Sequence, residues 1–269
     1  MDKRAIGIFD SGVGGMTVYS EIIKELPNEN IVYLGDTKNF PYGTKSKENI
    51  IRISNKCARF LLSKDIKMIV IACGTATSQA LESLEENFDI PVIGIIKPTV
   101  DSIKEENNIN TIGVIATEGT IRSNQWEIQL KKELPNINII NKACPLLAPM
   151  AEEGWTNNKV AKEAINEYLK AFENKKLDKL ILGCTHYPLF EELIRKNLGN
   201  KVEIVNTGTK IAKYLKEYLK DNGLENDVNN KKDNSIFLTD IEENFIKVVK
   251  NISKNLHIEH VIEKVDIEL

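Results

Sequence analysis

The stretch Lys179-Leu-Ile-Leu-Gly-Cys-Thr-His-Tyr-Pro188 decides how the rest of the chain is read. Leu180 to Leu182 is a short apolar run, the pattern of a strand buried on both faces, and Gly183 stops it. Cys184, Thr185 and His186 then fall where the chain must turn, and Pro188 suits the first turn of a helix. In open α/β sheets ligands bind beyond the carboxyl ends of the strands, so this turn is a place for chemistry. The same device stands earlier, as Met68-Ile-Val-Ile-Ala72, then Cys73-Gly74-Thr75, then a helical pattern. Two cysteines at strand ends, each followed closely by a threonine, are the feature to explain.

Working outward, Ala5 to Phe9 reads as a first strand, followed by Asp10-Ser-Gly-Val-Gly-Gly15 and a helix carrying Val18, Ile22, Ile23 and Leu26. Thr17 occupies the place of the third glycine of a dinucleotide loop, no P-loop Lys-Ser/Thr follows, and Asp10 would repel a phosphate. What remains is a glycine turn before a helix N-terminus, suited to a small anion such as a carboxylate. A strand at 31–34, a turn at Phe40-Pro-Tyr-Gly43, a helix over 46–63 and a helix over 76–87 follow, with a strand from Pro91 to Ile96. Lys97-Pro98 is the expected crossing point to a second unit.

After it the pattern restarts. Ile6-Gly-Ile-Phe-Asp-Ser11 is echoed by Ile112-Gly-Val-Ile-Ala-Thr117, and Thr120 opens one helix carrying Ile121, Trp126, Leu130 and Leu134. A strand at 137–140, a loop from Cys144 to Pro149, a long helix at 157–173, the Cys184 strand, a strand at 202–205 and a helix at 208–221 complete this pass. The expectation is a duplicated α/β unit, two domains related by a pseudo-two-fold axis. The first domain would hold residues 1–97 plus 207–269, and the second 98–206. Residues 221–234 read as a solvated polar loop, ahead of a strand at 236–238, a helix at 241–254 and a strand near 257–262.

The 269 residues can bury a substantial core, and a net charge of −3 gives no basic stripe for nucleic acid. No apolar run approaches a membrane span, and no signal-peptide pattern precedes the first strand, so a cytoplasmic protein is expected. Cys57, Cys73, Cys144 and Cys184 contain no CxxC pair and read as thiols rather than disulfides. Cys57 lies on the apolar face of its helix and is expected in the core, and packing is the favoured reading of Cys144. His257 and His260 read as surface or strand histidines, so no metal site is expected.

Two thiols on facing walls of a cleft fit one task well, removing a proton from one face of a carbon and returning one to the other. An ordinary thiol pKa of about 8.5 keeps both forms accessible near neutral pH. Each needs a polar neighbour to manage its proton. His186 is a candidate for Cys184, and Asp10 for Cys73 if the first and third strands are adjacent.

Taken together, Asp10-Ser-Gly-Val-Gly-Gly, Leu34-Gly-Asp-Thr with Pro41-Tyr-Gly, Ala72-Cys73, Cys144-Pro and Gly183-Cys-Thr-His-Tyr-Pro188 resemble the glutamate racemases in identity and order. The resemblance implies two flavodoxin-like α/β domains with the active site in the cleft between them. It implies a cofactor-independent isomerase that interconverts L- and D-glutamate in a bacterial cytoplasm, supplies D-glutamate for peptidoglycan and commonly forms homodimers. It implies that Cys73 takes the α-proton of D-glutamate and Cys184 that of L-glutamate, assisted by Asp10 and His186. Asp10, Ser11, Tyr42, Gly43, Gly74, Thr75, Thr120, Thr185 and His186 would hold the substrate. Asp36 and Glu152 would lend charged support, the alternative being purely structural charges. Gly74 departs from the pattern, which usually places asparagine there, and looser substrate binding is expected. Val205-Asn-Thr-Gly208 also departs from a turn that often contains aspartate. Two other readings stay open: a racemase for aspartate or another amino acid, and a non-catalytic binding protein such as a gyrase inhibitor.

Overall fold

Alternation along the central strands builds the architecture of the computed structural model, which describes residues 2–106, 108–226, 234–241, 243–253 and 262–267. The first half runs β1 (Ala5–Asp10), α1 (Met16–Glu25), β2 (Ile31–Gly35), α2 (Lys47–Leu62), β3 (Ile66–Ile71), α3 (Gly74–Asn87), β4 (Val92–Gly94) and α4 (Ile96–Lys104). The second runs β5 (Thr111–Ala116), α5 (Glu118–Arg122), α6 (Gln125–Glu133), β6 (Asn138–Ala143), α7 (Leu147–Glu152), α8 (Lys159–Leu169), β7 (Lys179–Leu182), α9 (Glu191–Leu198) and β8 (Glu203–Asn206). The chain closes with α10 (Thr207–Asp221), β9 (Ser235–Leu238), α11 (Glu243–Ser253) and β10 (Ile262–Lys264).

All described strand pairs are parallel and form two sheets, ordered β10-β9-β2-β1-β3-β4 and β6-β5-β7-β8. Both contain the order second, first, third, fourth, which is that of flavodoxin-like sheets. The chain is thus two α/β domains, and the returning strands β9 and β10 extend the first sheet.

Side chains of a strand point alternately to opposite faces, and the core follows that period of two. Ile6, Ile8, Met68 and Val70 join Ile112, Val114 and Ile181 in one apolar cluster with α1, α4, α6 and α10, so this core is shared by the two sheets. Phe9, Ile69 and Ile71 turn the other way against α2 and α3. Leu180 and Leu182 do the same against α7, α8 and α9. Cys57 is buried in the α2 core, and Cys144 in the core beneath α7 and α8.

Several boundaries differ from the sequence reading. The strand expected over 91–96 is only Val92–Gly94, and α4 begins where a bare crossing was expected. Pro98 sits in the first turn of α4, where a missing N–H costs nothing. The helix expected from Thr120 is two helices, because Asn124 takes a left-handed φ of 56° between α5 and α6. The expected loop at 144–149 becomes α7 from Leu147, and Pro149 again falls in a first turn. Pro188 is the second residue of a 3-10 turn, Tyr187–Phe190, ahead of α9. Residues 254–261, which carry His257, His260 and most of the last expected strand, lie outside the described residues.

Candidate active site

Adjacency of β1 and β3 places Asp10 beside Cys73. The strands pair in parallel with Phe9 opposite Ile71, and Ala72 N–H donates to the Phe9 carbonyl at 3.0 Å. Asp10 is then the last residue of β1, and Cys73 caps α3 by accepting from Ala76 N–H at 3.5 Å. The glycine turn does hold a carboxylate, but it is the chain's own. Asp10 Oδ2 accepts from Gly12 N–H at 3.1 Å and Gly15 N–H at 3.0 Å, and Val13 N–H donates to Glu152 at 3.3 Å.

Burial pushes the Cys73 thiol up to about 12, and the Asp10 charge adds to it, while Ser11 and Ala76 pull against both. Burial likewise raises Asp10 above the usual carboxylate range, against His186 and the two glycine N–H groups. A buried carboxyl next to a buried thiol is a pair poised to share a proton.

On the other wall Gly183 ends β7, and Cys184 Sγ lies 3.7 Å from His186 Nδ1. His186 Nε2 meets Glu152 Oε1 at 2.6 Å, and the Phe40 ring packs against the imidazole with centroids 5.6 Å apart. Burial alone would push His186 down, but Cys184 and Glu152 on its two nitrogens outweigh it and hold it well above its usual value. Glu152 Oε2 is buried with no hydrogen-bond partner, leaving that carboxylate one free acceptor. The walls are tied together here: Thr185 Oγ1 donates to Asp10 Oδ1 at 3.3 Å, and Thr17 Oγ1 to the Thr185 carbonyl at 2.8 Å.

At the far end three hydroxyls form a triangle across the cleft. Thr75 lies 2.8 Å from Thr117 and 3.3 Å from Thr120, and those two are 2.9 Å apart. Thr75 was expected from sequence and so was Thr120, but Thr117 was not. The signal was the internal repeat, in which Thr117 answers to Ser11. Gly43 backs this corner, for a Cβ there would stand 2.7 Å from that of Thr117.

Tyr42 and Asp36 act as a pair set back from the thiols. The Tyr42 hydroxyl donates to Asp36 Oδ2 at 2.6 Å, so only the backbone of Tyr42 is free to face a ligand. Asp36 also accepts from Asn39 at 3.1 Å and from Thr239 Oγ1 at 2.9 Å. Thr239 follows β9 and was invisible from sequence, since nothing local marks a threonine 203 residues away as a partner. Asn206, in the departing Val205-Asn-Thr-Gly208 turn, caps α10 by accepting from Gly208 N–H at 2.9 Å.

Gly74 lies directly against Gly183, and the place of its missing side chain is filled by the opposite wall rather than left open. Asp10, Ser11, Tyr42, Cys73, Thr75, Thr120, Glu152, Cys184, Thr185 and His186 are all buried. Among the described residues, no group of three or more His, Cys, Asp and Glu is placed to hold a metal, and no helix is long and apolar enough to cross a membrane.

A model of the family described as Asp/Glu/Hydantoin racemase matches residues 6–215. The chain is 43% identical over 248 residues to the glutamate racemase of Geobacter metallireducens, covering 92% of each. It is 43% identical to that of Persephonella marina, covering 95% of this chain and 96% of the relative. Among solved structures, the glutamate racemase of Francisella tularensis in complex with D-glutamate superposes with a TM-score of 0.92 at 37% identity, covering 100% of this chain and 99% of that one.

Proposed function

The chain belongs to the Asp/Glu/Hydantoin racemase family, and on that premise we propose that its two buried strand-end thiols interconvert L- and D-glutamate. It is an isomerase that inverts one carbon. The observation that carries the reading is the pairing of each thiol with its own proton-handling group, Asp10 beside Cys73 and His186 beside Cys184.

From D-glutamate, Cys73 as thiolate takes the α-proton and becomes a thiol. The electron pair left on the α-carbon takes a proton from the Cys184 thiol on the opposite face, giving L-glutamate and a Cys184 thiolate. The reverse reaction runs the same steps backward. The high resting pKa of Cys73 means the thiolate forms on binding, with Asp10 accepting its proton. His186, held charged by Glu152, steadies a Cys184 thiolate at 3.7 Å. The hydroxyl triangle of Thr75, Thr117 and Thr120 exchanges its internal hydrogen bonds for a substrate carboxylate. Ser11, Thr185 and the backbone of Tyr42, Gly43 and Gly74 complete the pocket, with Asp36 fixing Tyr42. We assign residues 1–97 with 207–269 to one working unit and 98–206 to the other. The proposal extends to a cytoplasmic homodimer whose D-glutamate enters the cell wall, with the thiols needing no cofactor.

The test incubates each enantiomer in deuterium oxide with wild type, Cys73→Ala and Cys184→Ala, following the α-proton by NMR and inversion by chiral chromatography. Wild type is expected to racemise with deuterium in the product, and neither variant to racemise. No exchange with either glutamate enantiomer overturns the assignment, and turnover of aspartate in its place redirects it.

A further inference from the structure

We propose that Thr239, one residue past the end of β9, is a positioning residue that holds the turn Phe40–Gly43 in place for substrate. The proposal rests on the glutamate reading above and gives the strand that returns after the second sheet a part in binding. Asp36 is the hub. Its fully buried carboxylate accepts from the Tyr42 hydroxyl at 2.6 Å, from Asn39 at 3.1 Å and from Thr239 Oγ1 at 2.9 Å. Tyr42 and Asn39 belong to the same turn as Asp36, so their bonds close the turn on itself without anchoring it. Of these three donors only Thr239 reaches in from another element. Its hydroxyl works in both directions, for Lys38 N–H donates to it at 2.9 Å, and Thr239 N–H donates to the Gly35 carbonyl at 3.0 Å. The next residue repeats the grip: Asp240 N–H donates to Thr37 Oγ1 at 2.8 Å, and Thr37 Oγ1 donates to the Asp240 carbonyl at 2.5 Å.

What this clamp carries lies on the side of the site. Phe40 packs against His186, and Gly43 abuts Thr117 of the other wall, where a Cβ would stand 2.7 Å away. Behind the turn the Cys57 thiol lies 3.7 Å from the Tyr42 hydroxyl. The phenol has one proton and gives it to Asp36, so Cys57 S–H is the donor there. Burial pushes that thiol well above its usual value and keeps it protonated. Losing the Thr239 hydroxyl therefore takes a donor from a buried carboxylate and the acceptor from Lys38 N–H together. The consequence falls on binding. Backbone groups of Tyr42 and Gly43 would meet substrate in the ground state and the transition state alike, so a loosened turn weakens affinity more than it slows proton transfer.

The test compares wild type with Thr239→Val, which keeps the shape and loses the hydroxyl, and Thr239→Ser, which keeps the hydroxyl. Thr239→Val is expected to raise KM for both enantiomers about tenfold while kcat changes far less, and Thr239→Ser to restore the wild-type KM. Amide hydrogen exchange read by mass spectrometry follows the turn without substrate. Peptides covering residues 37–43 should exchange severalfold faster in the valine variant, with β1 and β3 keeping their protection. A merely structural role would raise exchange across the whole chain instead. Thr239→Ala takes the place of a valine variant that does not fold, and loss of the fold in both overturns the inference. So does a hydroxyl-free variant with wild-type KM or wild-type exchange in the turn, or a serine variant that behaves like valine. Failure of wild type to racemise glutamate overturns the proposed function instead, and exchange over 37–43 still decides the role of Thr239.

Discussion

Asp10 and Cys73 show how two neighbouring residues set one another's chemistry. The Asp10 charge adds to burial in raising the thiol, so Asp10→Asn should lower the pH midpoint for alkylation of Cys73, measured with iodoacetamide in a Cys184→Ala background. Because burial is the larger cause, the midpoint should still lie above the ordinary thiol value of about 8.5. A midpoint unchanged or raised would contradict the arrangement. His186 carries a second prediction. Its folded pKa lies above the unfolded value of about 6.5, so its share of stability is complete below that pH and is lost as pH rises through the folded value. The stability gap between wild type and Glu152→Gln, followed by urea denaturation at stepped pH, should therefore narrow on the alkaline side. The juxtaposition of Asp10 with Cys73 and of His186 with Cys184 was legible in the sequence, since strand-end position and residue type announce it. The placement of Glu152 on His186 was not, because the two lie 34 residues apart with α8 and β7 between them.

At the scale of single elements, β3 leads to the proposed thiol Cys73 but begins in a structural clip. The Lys67 side chain is fully buried and donates to Glu29 at 2.5 Å, to the Asp2 carbonyl at 3.0 Å and to the Leu224 carbonyl at 2.7 Å. Removing one partner of a buried pair strands the other charge, so Lys67→Met should cost about 3–5 kcal/mol by chemical denaturation. Pairing it with Glu29→Gln should recover most of the loss, and kcat should stay near wild type, as the clip lies at the far end of the strand from Cys73. A Lys67→Met protein of wild-type stability would refute this. The central strands were readable because alternation and apolar runs have a fixed period. The breaks between elements were not. Nothing in composition separates α5 from α6 except one asparagine in a left-handed turn, and α7 hides behind prolines that a local reading takes as loop.

For the whole molecule, the candidate site belongs to neither sheet alone. Hydrogen bonds from Thr185 to Asp10 and between Thr75 and Thr117 span the two walls, so a ligand held between them should stabilise the assembly as a unit. D-glutamate at a hundredfold excess over its Kd should add about 2.7 kcal/mol to the unfolding free energy, read as a raised melting temperature that D-lysine does not reproduce. No shift with either glutamate enantiomer would count against a binding site shared by both walls. The repeated strand order was foreshadowed by the echo of residues 6–11 in 112–117. The departure and return of the chain around the second sheet left no such trace, since crossings are marked by contacts and not by composition.

The chain passes from one sheet to the other twice, through α4 on the way out and from β8 into α10 on the way back, and these two helices pack against each other. In mechanical terms the halves hang on a pair of neighbouring pins. A single tether would let one half twist and slide against the other. Two side by side resist both motions, so the halves are held in one mutual alignment. The thiols proposed to work from opposite walls are thereby carried on halves pinned together twice, and not on halves joined at a single point.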